Sequence, residues 1–177
     1  MADYFSPTVI QPSIPNSDIT PIERLLLSHI FSAEPDGEGL YFYTEESPAS
    51  VIWIDRAELA AALAESQAAA AGGTAATFAA ERFAQTPAEA DEIELDITAI
   101  SWEFIFQDIV RRSARLRYVT AISAFTCSRM RPDGFGGMAV LITATAVVGK
   151  STSDILEEFM AEAFPDTAAE EAPSGGE

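Results

Sequence analysis

The segment from Ala144 to Ser151, ATAVVGKS, comes closest to a known binding motif. It matches a relaxed phosphate-binding loop in which alanine replaces the first glycine. A phosphate cradle needs backbone N–H groups that a glycine-rich loop turns inward. Here Thr, Ala, Val and Val occupy the intervening positions and favour a continued strand. We therefore expect a strand end, a turn and a helix cap in this segment, and no nucleotide cofactor.

Arginine is concentrated between positions 111 and 131. Six of the ten basic residues lie there, namely Arg111, Arg112, Arg115, Arg117, Arg129 and Arg131. The first three fall at the end of a predicted helix, where cations offset the helix dipole. A strand of about 40 Å separates the two ends of the group, which predicts two patches rather than one pocket. The candidate anion- or partner-binding patch comprises Arg111, Arg112, Arg115 and Arg117; the alternative is that these side chains pair with surrounding carboxylates.

No other combination of residues indicates a catalytic centre, a metal site or a cofactor. His29, the only histidine, falls on the apolar stripe of a predicted helix, where a core-edge histidine with a satisfied ring is favoured over a catalytic base. Cys127, the only cysteine, lies on a predicted strand, and we expect a buried, inert thiol. A G-x-S-x-G nucleophile motif is absent from the sequence. Adjacent carboxylates such as Glu45 and Glu46 are typical of solvated loops in a chain with 28 acidic residues.

The charge balance restricts the class of partner. With 28 acidic and 10 basic residues, the chain has a formal net charge of -18 at pH 7. DNA, RNA and anionic membranes are polyanions, so none of them is an expected partner, whereas a basic protein is compatible. No apolar run approaches the about 20 residues of a membrane-spanning helix, and the first residues lack the pattern of a secretory signal. We therefore expect a cytoplasmic location.

A long β-hairpin between Leu116 and Val148 is the strongest structural signal. Two apolar runs, LRYVTAISAFTCS and MAVLITATAVV, flank the turn-rich segment RMRPDGFGG. If the second run is one strand, side chains alternate between its two faces, and Val140 and Val148 share one of them. The opposite face, which contains Leu141, is more polar but still too apolar for a fully solvated surface. A lone hairpin is marginal in water, so other elements must cover it on one face and at least partly on the other.

Further helices and strands are predicted around this hairpin. Thr20, Pro21 and Glu23 form a capping signature that starts a helix. The other predicted helices cover residues 56–71, 98–114 and 152–164. The other predicted strands cover residues 40–44 and 51–54, which we interpret as a second hairpin at 40–54. The region 75–97 is ambiguous, since a marginal helix, a short strand at its end and disorder are all compatible with it.

These elements predict the fold class and the domain organisation. The order helix, strand, strand, helix occurs twice with an offset of about 80 positions, which suggests a pseudo-repeat. Antiparallel hairpins with segregated helices predict an α+β two-layer sandwich of a mainly antiparallel sheet covered by helices. We expect an extended N-terminal arm at 1–19, a single α+β domain at 20–164 and a disordered acidic tail at 165–177. The arm is too apolar for a solvated tail, so it should lie on the domain or on a neighbouring subunit.

The sequence favours a non-enzymatic binding or accessory module that self-associates as a homodimer. No catalytic group has its required partners, and the apolar residues exceed what one small sheet must hide. One alternative is an acidic DNA mimic that inhibits a nucleic-acid-binding protein, which requires carboxylates that approach the duplex charge spacing of about 1.7 Å. A further alternative is a small enzyme or nucleotide binder, with a pocket formed from distant residues around His29.

Overall fold

The structure, a computed structural model, describes residues 2–68 and 72–165 and has the α+β architecture that the sequence predicts. Its strands are β1 (Tyr4–Phe5), β2 (Thr8–Gln11), β3 (Ile14–Pro15), β4 (Ser32–Asp36), β5 (Gly39–Thr44), β6 (Val51–Asp55), β7 (Glu92–Asp96), β8 (Tyr118–Cys127), β9 (Gly136–Thr143) and β10 (Val147–Ser151). Its helices are α1 (Pro21–Ile30), α2 (Arg56–Ala68), α3 (Thr74–Gln85), α4 (Trp102–Arg112) and α5 (Thr152–Ala163). Eight strands form one sheet, and β6 and β7 form a second sheet. Residues 69–71 of a predicted helix and 166–177 of the predicted tail lie outside the described residues.

The long hairpin is confirmed, but its second strand is shorter than predicted. β8 pairs with β9 in antiparallel register along eight residue pairs. The strand then ends at Thr143, whose N–H and hydroxyl both donate to the carbonyl oxygen of Ala146, at 2.8 and 3.1 Å. This side-chain bond to the backbone competes with strand extension, and the chain reverses into β10. The reversal places Val148 opposite Leu141, on the other face from Val140, which corrects the face assignment made for one continuous strand.

The N-terminal segment supplies a central strand of the main sheet. It is extended, as expected, and β2 lies between β8 and β5, hydrogen-bonded to both. Ile10 and Ile14 are fully buried there. The chain therefore enters the sheet well before Thr20, where the sequence places the start of the domain. The physical reason is that an extended apolar segment satisfies the open edges of β8 and β5.

The expected hairpin at 40–54 is wrong in its pairing, although both of its strands form. β5 pairs with β4 through a tight turn at Gly37, whose φ of 57° suits glycine. β6 instead pairs with β7 in the small sheet. The sequence does not reveal β4, because SAEPD is polar and contains Pro35, which a sheet tolerates only at an edge. Both halves of the chain thus run helix, three strands, helix, but β6 leaves the main sheet whereas β10 stays on β9.

Helices α1 and α2 begin where local capping residues predict. Thr20 and Glu23 form a reciprocal capping box at α1, and the carboxylate of Asp55 accepts the first N–H groups of α2. For the region 75–97 the sequence left a helix, a short strand and disorder open; the structure contains both the helix, α3, and the strand, β7. Helix α4 begins at Trp102 rather than at Thr98, because a 3-10 turn precedes it.

One face of the main sheet is covered by helices. The inner face of β8 and β9 consists of Val119, Ala121, Val140 and Ile142. These side chains form one buried cluster with the apolar sides of α1, α2, α3 and α4. Phe42 of β5 and Phe106 of α4 meet edge to face in that cluster, with ring centroids 5.8 Å apart. The core therefore comprises the inner face of the main sheet, four helices and the buried side of the small sheet β6–β7, and α5 contributes no residue to it.

Replacing Ile10 by alanine is expected to lower the free energy of unfolding by about 2–5 kcal/mol, as large-to-small changes in a packed core do. Gln11→Ala, at the next position, removes an exposed side chain and should change this quantity by less than about 0.5 kcal/mol. Urea denaturation followed by tryptophan fluorescence measures both effects. Equal midpoints for the two variants would contradict the central position of β2.

Candidate functional site

Helix α5 follows the edge strand β10 and is capped by its own sequence. The hydroxyl of Ser151 accepts from the N–H of Asp154, and the carboxylate of Asp154 accepts from the N–H of Ser151 at 2.7 Å. The Ser151 hydroxyl also donates to this carboxylate at 2.8 Å, and the bonds that it receives from the backbone N–H and the hydroxyl of Ser151 lower the pKa of the Asp154 carboxyl. The N–H of Gly137 in β9 also donates to Thr152 Oγ1. The start of α5 is therefore attached to the end of the sheet.

The apolar side of α5 faces solvent. We call its large apolar side chains the α5 stripe: Ile155, Leu156, Phe159 and Met160. None of the residues of α5 is buried, and Leu156 and Phe159 are 57% and 60% exposed. The sequence predicts this stripe, but not that it stays outside the core. No helix in the described part of the chain is long and apolar enough to cross a membrane.

The outer face of the main sheet carries a second exposed apolar surface. We call its contiguous apolar side chains on β8, β9 and β10 the outer patch: Ile122, Ala139, Leu141 and Val148. Ile122 lies opposite Ala139, and Leu141 lies opposite Val148 in the antiparallel register, so these side chains are neighbours. Ile122 and Val148 are 47% and 60% exposed. Lys150, opposite Ala139 on the same face, borders the patch and pairs with Glu158 of α5 at 2.5 Å.

Further along the same face, towards β5, the surface becomes polar. An open depression of about 750 Å³ is lined in part by Gln11, Tyr41 and Tyr118. The rings of Tyr41 and Tyr43 stack with centroids 5.3 Å apart. The hydroxyl of Tyr43 donates to the carboxylate of Glu34 at 2.7 Å, and this bond raises the pKa of the tyrosine. The apolar part of the outer face is therefore confined to the β8–β10 side.

The first arginine of the predicted patch, Arg111, is bound by groups of the same chain. Arg111 donates to the carbonyl oxygen of Ala144 at 2.8 Å, to Gln107 Oε1 at 2.7 Å and to Asp108 Oδ1 at 2.9 Å. It thereby joins α4 to the turn between β9 and β10. Asp108 also accepts from the N–H of Thr74 at the start of α3. These contacts give Arg111 a structural role.

The other three arginines of the patch differ in burial. Arg112 forms a 2.6 Å ion pair with Glu23, whose side chain is almost fully buried. Arg115 lies 3.8 Å from Glu38, and both side chains are well exposed. Arg117 is exposed and has no hydrogen-bond or ion-pair partner among the described residues. Arg111 and Arg112 are thus held by partners within the fold, although the Arg111 side chain is still 50% exposed. Arg115 and Arg117 are the members of the patch least engaged by the fold, and the partner-binding role stays a prediction.

A groove forms around His29, where the sequence left open a pocket built from distant residues. It has a volume of about 650 Å³, lies between α1 and α2, and includes Arg24, Glu58 and Glu65 in its lining. His29 itself is exposed, and its Nδ1 donates to the carbonyl oxygen of Leu25 at 2.9 Å. No carboxylate among the described residues bonds to the ring, and no group of His, Cys, Asp and Glu in that part of the chain could hold a metal ion. The groove is therefore open and lacks an acid–base pair.

The segment from Ala144 to Ser151, which resembles a phosphate-binding loop, contains the turn and the helix cap that the sequence predicts, and a short strand lies between them. Val147 to Ser151 is β10, paired with β9, and Ser151 caps α5. Its extended backbone cannot surround a phosphate group. Cys127 is half-buried rather than buried, because it lies at the end of β8 beside Gly134.

Arg112→Leu is expected to lower the free energy of unfolding by about 2–4 kcal/mol, because it leaves the Glu23 carboxylate buried without a cation. Arg117→Leu is the matched control, since its exposed side chain should contribute less than about 0.5 kcal/mol. Denaturant titration measures both values. Comparable losses would show that Arg112 has no special structural role.

The cap of α5 is expected to weaken in acid. Because the folded-state pKa of Asp154 is lowered, its contribution is fully present above the ordinary carboxyl pKa and is lost as the pH falls through the lowered value. Amide protection at the start of α5, measured by hydrogen exchange, should fall over that acid range. In Asp154→Ala the protection should already be low at neutral pH, so a pH profile like that of the wild type would contradict this role.

Comparison with models of known protein families and with curated proteins finds no match for this chain. Comparison with solved structures likewise finds no match. The functional interpretation therefore depends on the geometry of the chain itself: an apolar helix face, an apolar sheet face and a groove without an acid–base pair.

Proposed function

We propose that this protein is a non-enzymatic binding or accessory module that self-associates as a homodimer. The observation that supports the proposal is the α5 stripe, an amphipathic helix face that contributes nothing to the core of its own chain. Burial of one such side chain is worth about 1.5–3 kcal/mol. A helix of 12 residues is marginal in water without packing. A second copy would supply that packing, and two-fold dimers are the commonest closed assemblies.

The polar groups of the described chain support binding rather than catalysis. Catalysis by general acids and bases needs groups within hydrogen-bond reach of each other or of the substrate. His29 bonds to a backbone carbonyl, and Arg111 and Arg112 are held by partners within the fold. The enzyme alternative would need the groove around His29, where the wide opening to solvent does not favour the exclusion of water.

The net charge of -18 opposes association at long range but not at the proposed contact. Like charges on two copies repel, and physiological salt screens exposed charges beyond about 8 Å. The α5 stripe and the outer patch carry no charge, so their burial removes no ion from water. Added salt should therefore strengthen self-association, whereas it would weaken the binding of a basic protein to the acidic surface.

The DNA-mimic alternative has weaker support. Glu92, Glu94 and Asp96 form a row of exposed carboxylates on β7, spaced by about 7 Å along the strand. Opposite this row, β6 presents the exposed apolar residues Val51 and Trp53 and a single carboxylate, Asp55, so the acidic surface extends across the small sheet at one position only. One short row falls far below the duplex charge density of one per about 1.7 Å. Capture of a DNA-binding protein that duplex DNA competes away would reverse this ranking.

Sedimentation equilibrium tests the proposal directly. The wild-type chain should show twice the 19.0 kDa mass of one copy at micromolar concentration, and more dimer at higher salt. Phe159→Glu should shift the chain towards the monomer, because it places a charge in the proposed apolar contact.

Ala161→Glu is the matched control, since it adds the same charge to the acidic side of the same helix. It should leave the dimer intact. A wild-type monomer at high micromolar concentration and high salt would refute self-association.

A further inference from the structure

We infer that two copies join by reciprocal docking, with the α5 stripe of each copy on the outer patch of the other. This inference rests on the proposed self-association and specifies its surfaces. Each copy carries one unpacked helix face and one uncovered sheet face, and a helix on a sheet face is the basic contact of a two-layer α+β sandwich. A two-fold axis satisfies both contacts at once, because such an interface is self-complementary.

The two surfaces do not cover each other within one copy. Phe159 and Val148 are each 60% exposed, and Leu141 is 43% exposed. The capping box and the bond from Gly137 to Thr152 fix the start of α5 at the end of β10. Because β10 is the edge strand, α5 leaves the sheet at its margin. The stripe is thus presented outward, next to the face that a second copy would cover.

The dimensions of the two surfaces match. A helix of 12 residues is about 18 Å long and about 10 Å wide. The three strands β8, β9 and β10 span about 14 Å across, and the ten residues of β8 extend for about 33 Å. One helix therefore fits on the outer face of this three-stranded part of the sheet, beside the polar depression that Tyr118 and Thr120 of β8 border.

The apolar character of the two surfaces favours a second copy, which offers a complementary apolar surface, over a basic protein as the occupant. The outer patch and the α5 stripe are both uncharged in a chain whose net charge is -18. The acidic side chains of α5 lie on the rest of the helix surface: Asp154, Glu157, Glu158 and Glu162. With the stripe docked, these carboxylates stay in water, and Lys150 beside the outer patch already pairs with Glu158 at 2.5 Å. A basic partner would gain nothing from these neutral surfaces.

The edges of the sheet offer a less suitable contact between copies. The free edge at β4 carries Glu34, Pro35 and Asp36, and proline and like charges hinder the addition of another strand. The opposite edge, β10, is short, carries Lys150 and passes directly into α5. Pairing of β10 with β10 of a second copy would also leave both apolar surfaces exposed.

A mixing experiment with two variants tests the docking mode. Phe159→Glu alters only the helix side of the proposed contact, and Leu141→Lys alters only the sheet side. Each variant alone is expected to dimerise at least about tenfold more weakly than the wild type, because both of its contacts contain the new charge. In a mixture, the heterodimer has one unaltered contact and one in which Glu faces Lys. In an equimolar mixture, native mass spectrometry, which separates the two chains by mass, should therefore show well more than the twofold excess of heterodimer over each homodimer that random pairing gives.

Matched controls are available on both elements. Ala161→Glu places the same charge on the acidic side of α5, and Val51→Lys places a lysine at an exposed apolar position of β6, outside the outer patch. Both controls should dimerise like the wild type and show no preference for the heterodimer when mixed. Circular dichroism should show that all four variants are folded, since each replaced side chain is exposed or half-exposed.

The possible outcomes separate the docking mode from self-association itself. If Phe159→Glu weakens the dimer but Leu141→Lys does not, α5 docks elsewhere, and the inference is wrong while self-association stands. If the wild-type chain dimerises and neither variant weakens the dimer, the copies join through another surface, such as the β10 edge. The docking mode is then wrong, and self-association still stands. Weakening by both variants without preferential heterodimer formation also overturns reciprocal docking. A monomeric wild-type chain removes the proposed function and the inference together.

Discussion

The position of β2 between β5 and β8 is the constraint on which the rest of the fold depends. β5 belongs to the first third of the chain and β8 to the last third, and β2 is hydrogen-bonded to both. The hydroxyls of Thr8 and Ser123, 115 positions apart, meet at 2.8 Å along this seam. Because β2 joins the two hairpins into one sheet, a single inner face exists on which α1 to α4 can pack. Ile10, fully buried at the centre, links this connection to the hydrophobic core.

The few cations of this acidic chain mainly stabilise its interior contacts. Arg112 neutralises the buried Glu23, and Arg111 ties α4 to the turn before β10. Arg56 donates to the backbone carbonyls that follow α3 and packs over the ring of Phe83, 4.7 Å from the ring centroid. A buried carboxylate without a cation is strongly destabilising, so these pairings take precedence over a basic surface patch. The sequence alone shows the cluster of arginines but not its internal partners.

The asymmetry of the sheet is the observation on which the proposed binding function rests. A layer of helices covers the inner face, with α1 and α4 against the main sheet and α2 and α3 packed behind them, whereas the outer face of β8 to β10 presents apolar side chains to solvent. The remaining helix, α5, is equally apolar on one side and equally uncovered. Contiguous exposed apolar surface on a charged protein is typical of an interaction site. The groove around His29, by contrast, combines an open shape with a histidine bonded only to the backbone of its own helix among the described residues.

The sequence by itself determined the features that depend on neighbouring residues. The capping box of Ser151 and Asp154, the hairpin of β8 and β9 and the stripe of α5 all follow from local bonds or periodicity, which need no tertiary information. Only the tertiary structure decided which strands pair and which faces are covered. The polar β4 forms because β5 offers it an edge, and Thr143 ends β9 by bonding to its own turn. Arg112 forms an ion pair with Glu23, which lies 89 positions earlier in the sequence. The core is filled by α1 to α4 and the two sheets, and the stripe of α5 stays outside it, an outcome that depends on distant segments and that no local pattern records.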